Sequence, residues 1–249
     1  RHAHVVLRGS GYPLVVLEAS TGGLTQDFAK CVDEIAKFTT VLAYDRYGLG
    51  FSSEQSVDAD VETPVELQCR NAKQLRIELD EVLNCIPAPQ DQSTSQNTSS
   101  GINSDQSNGI NSVIIVAHGQ GGAIAVDFAA DCAARRSERL AGVVLLESAC
   151  GVREKQRGIA KEIAAAIDGM TKGAQAVGLL SKFGVARVMM NTQKSIDALS
   201  LSYRPQDCGV VQALTSRTNH CEGVAAEVAC YADDDSILGS LVESCKTSR

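Results

Sequence analysis

Val113-Ile-Ile-Val-Ala-His118-Gly119-Gln120-Gly121-Gly122-Ala123 is the stretch that decides the fold. Four β-branched apolar residues run without alternation into a turn of small residues, the pattern of a strand buried on both faces. A small-residue helix is expected from about Gly122 to Ala134, and Val143 to Leu146 forms the next apolar run. Two strands with a helix between them make a β-α-β unit, which closes with a right-handed crossover.

Working outward towards the N-terminus, Leu14 to Leu17 and Thr39 to Tyr44 are further strands, with a helix expected over Gln26 to Lys37. From Pro64 to Cys85, Leu67, Leu75, Leu79, Val82 and Leu83 recur at helical spacing; Thr63 is the expected N-cap, with Pro64 in the first turn. Beyond Glu147 the pattern changes to Ala-rich amphipathic helices, such as Ile159 to Met170 and Ala174 to Lys182. The prediction is an α/β protein: a mostly parallel sheet with helices on both faces over residues 1–150, then a helical, cap-like region over 151–249. Residues 90–112 interrupt the first part with Gln, Ser, Asn, Thr, Asp and Gly, too few apolar side chains to fold alone. Within them Gly-Ile-Asn-Ser occurs at 101 and again at 109, a local duplication of the kind found in surface loops.

Composition narrows the function classes. At 249 residues and 44% hydrophobic, the chain can bury one substantial core. A net charge of -7, with no Lys/Arg run, excludes a phosphate-binding surface, so nucleic acid is not an expected partner. No apolar stretch approaches the roughly 20 residues that cross a bilayer. The nine cysteines form no Cys-x-x-Cys pair. Most are expected to be reduced, buried residues of a soluble intracellular protein, with a few disulfides in the Cys-richer C-terminal third as the alternative. Asp233-Asp-Asp235 has no nearby histidine and reads as a solvated helix start, and no phosphate-cradling Gly-rich loop ends in Lys-Ser/Thr. Neither a metal nor a cofactor is expected.

The turn after Val116 resembles the nucleophile elbow of the α/β-hydrolases, Gly-x-Ser-x-Gly, in which a strained turn lifts the nucleophile above the sheet. Three more stretches carry the resemblance in the right order. Leu17-Glu-Ala-Ser-Thr-Gly-Gly23 is similar to the oxyanion loop, Tyr44-Asp-Arg-Tyr-Gly-Leu-Gly-Phe-Ser52 to a Tyr-Asp-x-x-Gly-x-Gly-x-Ser turn, and Val143 to Ser148 to the next strand and its acidic end.

The resemblance places Gly119 where the nucleophile belongs, and glycine has no side chain to attack a carbonyl. It also implies an acid and a histidine after later strands. Glu147 holds an alternative place for the acid. Of the four histidines, His2 and His4 precede the sheet and His118 adjoins the elbow, which leaves His220, in the helical region, as the remaining base candidate. The chain stops at Arg249, near where the family runs its last two strands, so the edge at Val143 to Leu146 is expected to lie exposed unless helices or another polypeptide cover it. The oxyanion-hole positions, Thr21, Gly22 and Gln120, need no special side chain and could still hold a small apolar or carbonyl-bearing ligand. The expected function is that of an α/β-hydrolase-like protein with a degenerate, non-catalytic site that binds a small ligand or a protein. The alternative is a fragment or nucleophile variant of a serine hydrolase acting on carboxylic esters, lipids or amides.

Overall fold

A computed structural model describes residues 2–53, 70–87, 112–148 and 157–230. Its strands are β1 (Val5–Arg8), β2 (Leu14–Glu18), β3 (Val41–Tyr44), β4 (Val113–His118) and β5 (Leu140–Leu146). They form one sheet in the order β1-β3-β2-β4-β5, parallel throughout except for β1 against β3. The central strand β2 is buried along its whole length, which is why its sequence is apolar without alternation up to Glu18.

The period-2 geometry of the strands divides the core into two layers. Leu14, Val16, Leu42, Val113 and Ile115 face α2 (Ala72–Cys85) and α3 (Gly121–Ala134), packing on Leu75, Leu79, Leu83, Ile124 and Phe128. Their neighbours Val15, Leu17, Val41 and Ala43 face α1 (Ala29–Ile35), packing on Val32 and Ile35. The sheet thus carries helices on both faces. Full burial of each Leu, Val or Phe side chain stabilises by about 1.5–3 kcal/mol.

Four expectations need correction or detail. The helix expected from Pro64 begins instead at Ala72, because Asn71 is extended and caps it: its side chain accepts from Gln74 N–H while the Gln74 side chain accepts from Asn71 N–H. Thr63 and Pro64 lie outside the described residues, as do the insert up to Asn111 and the Asp233 run. The helix expected over Gln26 to Lys37 divides into a 3-10 turn, Thr25–Phe28, and α1. The antiparallel edge strand β1 was not expected from sequence.

Beyond β5, the described residues 157–230 form α4 (Arg157–Ser181), α5 (Val185–Met190), α6 (Gln193–Ser202), α7 (Pro205–Thr215) and α8 (Thr218–Ala229). The last two reach the sheet half: Val211 and Leu214 of α7 join Leu24 and Leu49 in a buried cluster, with Val224 of α8 packed against it. α4 packs along α8. At the other side of the sheet, Val144, Leu145 and Leu146 of β5 are exposed, as the edge position predicts. Cys31, Cys85, Cys132, Cys208 and Cys221 are free, whereas Cys230 is disulfide-bonded.

Candidate functional site

At the end of β4 the chain turns sharply, and Gly119 has φ +54. A side-chain-bearing residue pays a steric penalty there, which glycine avoids. The N–H of Gly119 donates to Leu146 C=O at 3.1 Å, fixing the turn to the end of β5. A Cβ added at Gly119 would overlap Ser20 Oγ and lie 2.9 Å from Ser20 Cβ. The space above the elbow is therefore taken by the Ser20 side chain. Gly121 opens α3 against the loop after β2; a Cβ there would lie 2.6 Å from Ala19 C=O, so the close approach of helix and loop requires glycine.

Thr21, Gly22 and Gln120 come together with α8, from the far end of the chain. Thr21 Oγ1 donates to Gln120 Oε1 at 2.5 Å, and Gln120 Nε2 donates to the backbone C=O of Glu227 at 3.4 Å. Gly22 N–H donates to the Glu227 carboxylate, Oε2, at 2.9 Å. A carboxylate from α8 thus occupies the donor that the oxyanion loop offers.

Glu227 is fully buried, and the cation beside it is Arg46 from the turn after β3, equally buried. Arg46 Nε and Nη2 donate to Glu227 Oε1 and Oε2 at 2.9 and 3.0 Å, a two-pronged pairing. The rest of the Arg46 guanidinium is spoken for. Nη1 donates to Glu18 Oε1 and Ala19 C=O, both at 2.9 Å, and Nη2 to Ser20 C=O at 2.5 Å. Tyr44 OH donates to the other oxygen of Glu18 at 2.6 Å. Arg70 adds a longer contact, Nη1 to Glu227 Oε1 at 3.4 Å, while its Nη2 pairs with Glu78. Burial favours loss of the Arg46 charge, but the Glu227 and Glu18 carboxylates outweigh it and hold its pKa above the usual arginine value. Burial pushes the Glu18 carboxyl above its ordinary range, against the pull of Arg46 and the Tyr44 hydrogen bond.

Glu147 and His220, the acid and base candidates from sequence, lie on different elements, the first after β5 and the second on α8. Glu147 follows β5 with φ +49, and its side chain is 91% exposed; its ion-pair neighbour is His118 Nε2 at 3.9 Å. His220 is 5% exposed on α8, and its Nδ1 has no hydrogen-bond partner. Burial lowers its pKa, Arg46 adds to that, and Glu227 and Asp45 oppose it. Asp45, the acid of the Tyr-Asp turn, is a structural acceptor: it takes Thr25 N–H at 2.7 Å, Phe51 N–H at 3.0 Å and His4 Nδ1 at 3.1 Å. Among the described residues no group of three or more His, Cys, Asp or Glu side chains is arranged to hold a metal ion.

Sequence reasoning missed Arg46 and Glu227 as members of this site. Each carried a signal: Arg46 is the one cation in the Tyr44 to Ser52 turn, and Glu227 is a lone charge within Val224-Ala-Ala-Glu-Val-Ala229.

A sheet of this order, with an elbow between β4 and α3 and a loop after β2 beside it, is that of the α/β-hydrolase fold, and the chain adopts it. Solved structures bear this out at low sequence identity. The chain is similar to the epoxide hydrolase CorEH (17% identity, 95% of this chain and 73% of that one, TM-score 0.60). It also resembles a variant of a putative epoxide hydrolase from Pseudomonas aeruginosa (12%, 97% and 71%, TM-score 0.61). A third likeness is to a thermophilic esterase from Thermogutta terrifontis (14%, 91% and 65%, TM-score 0.52). No protein-family model matches the sequence, and no curated protein matches it. No helix among the described residues is long and apolar enough to cross a membrane.

Proposed function

We propose that this chain is a non-catalytic protein of the α/β-hydrolase fold that acts by binding, with residues 151–249 as a cap-like region over a core of residues 1–150. The single observation that carries the reading is that the turn positioned for a nucleophile holds Gly119, at φ +54, with no side chain to attack. Glycine supplies no nucleophile, and the Ser20 hydroxyl stands in the space above it. The Glu227 side chain on Gly22 N–H supports the same reading, because a carbonyl oxygen polarised there must displace it. On the protein-binding side, the exposed Val144 to Leu146 edge of β5 supports a polypeptide partner. Five free cysteines fit the reducing interior of a cell, and the Cys230 disulfide is the observation against that compartment.

A second reading rests on the retained φ of Gly119, which still presents the turn a nucleophile needs. In it the chain is a nucleophile variant of a serine hydrolase acting on esters, lipids or amides. The two readings separate in Gly119→Ser and in Gly119→Ser combined with Ser20→Gly, which removes the overlap. Incubation with a p-nitrophenyl ester and with a fluorophosphonate, followed by intact-mass measurement, is expected to give neither turnover nor an adduct. Either one in the double variant overturns the non-catalytic reading in favour of the second.

A further inference from the structure

We infer that the sheet half of the molecule carries a built carboxylate-binding site, occupied in cis by Glu227, whose external ligand class is a small monocarboxylate. The donors all belong to the first 70 residues. They are Gly22 N–H at 2.9 Å and Arg46 Nε and Nη2 at 2.9 and 3.0 Å, with Arg70, whose Nη1 donates to Tyr47 C=O, adding its charge at 3.4 Å. The acceptor alone comes from α8.

Arg46 does not need Glu227 to hold its position. Glu18, Ala19 C=O and Ser20 C=O fix its opposite edge, and Tyr44 and β2 fix Glu18. The edge that meets Glu227 is therefore aimed before α8 arrives. Two parallel N–H donors from a planar guanidinium match the two oxygens of a carboxylate, and a backbone N–H completes the match on one of them. Taking the Glu227 side chain away removes the partner of buried Arg46 Nε and of part-buried Gly22 N–H, which costs more than losing one exposed ion pair. A carboxylate from solution satisfies the same donors in the vacated volume.

The affinity of that external ligand is modest for a stated reason. One guanidinium serves both Glu18 and Glu227, so half of its charge is already compensated. Acetate has only four heavy atoms, and a half-saturation on the order of 1–10 mM is the scale such a fragment reaches. In the intact chain the tethered Glu227 is present at a higher effective concentration than that, which keeps the site closed and α8 pinned on the loop.

The inference is independent of whether Gly119 supports chemistry, and its test involves no turnover. The thermal midpoint of Glu227→Ala is measured against sodium acetate, with acetamide and sodium chloride at matched concentration as controls. Glu227→Ala is expected to melt several degrees below the parent chain and to recover most of that loss in acetate, with saturation, and not in acetamide or chloride. Glu227→Gln keeps an oxygen for Gly22 N–H and fills the volume, so it is expected to ignore acetate. Where Glu227→Ala does not fold in plain buffer, refolding in acetate is expected to return soluble protein and refolding in acetamide is not. An equal response to acetate and acetamide, no recovery in acetate, or a Glu227→Gln variant as responsive as Glu227→Ala overturns the inference.

Discussion

The helical third of the chain meets the rest of the molecule in two different ways. α7 and α8 are fastened: Val211 and Leu214 sit in a cluster with Leu24 and Leu49, Glu227 pairs with buried Arg46, and Arg217 lies over the Phe51 ring with its guanidinium donating to Gly50 C=O. α4 to α6 instead show large apolar side chains to solvent, among them Phe183 (78% exposed) and Leu201 (82%), with Leu179, Val188 and Met189 also exposed. Both regions are helical and similar in composition, so helix formation does not distinguish them. What does is partnership: α7 and α8 bury specific groups against the turns that follow β2 and β3, whereas α4 connects to those turns chiefly through α8 and α6 only through Leu199 and α7. Stability in the helical third should therefore concentrate at one junction.

The largest expected effect comes from breaking that junction at its cation. Arg46→Met strands Glu18 and Glu227 as buried carboxylates and removes the guanidinium donors to the Ala19 and Ser20 carbonyls, so a loss of about 3–5 kcal/mol is expected in urea unfolding. Hydrogen exchange should then report faster opening of α8 before the central strands respond. A loss below about 1 kcal/mol would mean that the pair behaves as an exposed one and that the contrast between the two regions is wrong.

A smaller effect is expected from acid. His220 is buried with a lowered pKa, so the unfolded chain binds its proton at higher pH than the folded one. Its contribution is complete above the unfolded value of about 6.5 and declines as pH falls below that towards the folded pKa. His220→Gln should flatten this part of the stability-against-pH curve; an unchanged slope would assign the acid sensitivity elsewhere. The smallest effect belongs to the loose region. Phe183→Ser and Leu201→Ser are each expected to change unfolding free energy by no more than about 0.5 kcal/mol. A drop of about 2 kcal/mol in either would place those side chains in a buried interface and erase the distinction.

The parts of the molecule visible in the sequence are those whose cause is local. β2, β3 and β4 are written as apolar runs, and the elbow follows from small residues at fixed spacing. β1 was not visible, because Val5 to Arg8 is short and, as an antiparallel edge, depends on β3 for its pairing. The start of α2 was legible and misread. Asn71 with Gln74 three residues later is a capping signal, but the helical spacing that continues back to Leu67 outweighed it. The core of the candidate site was legible only as two isolated charges, not as a pair. Arg46 and Glu227 are 181 residues apart, and no periodicity or motif links a charge in a turn to a charge in an apolar helix. Thr21, Gly22 and Gln120 were expected as neighbours from the resemblance, whereas the carboxylate between them was not.

The register of the sheet centre bears on how the chain folds. β2 is made early, yet one of its two neighbours is β4, and Leu14 pairs with Val113 about 100 residues later. The duplicated Gly-Ile-Asn-Ser stretch lies inside that interval of sequence. Closing a loop grows costlier only slowly with length, by about 0.6 kcal/mol per doubling, so the length of that interval weighs little on equilibrium stability. Rates are more exposed, because a contact of such long separation must form before it is rewarded. The pairing of Leu14 with Val113 is thus felt more in the time the chain takes to refold than in its melting point.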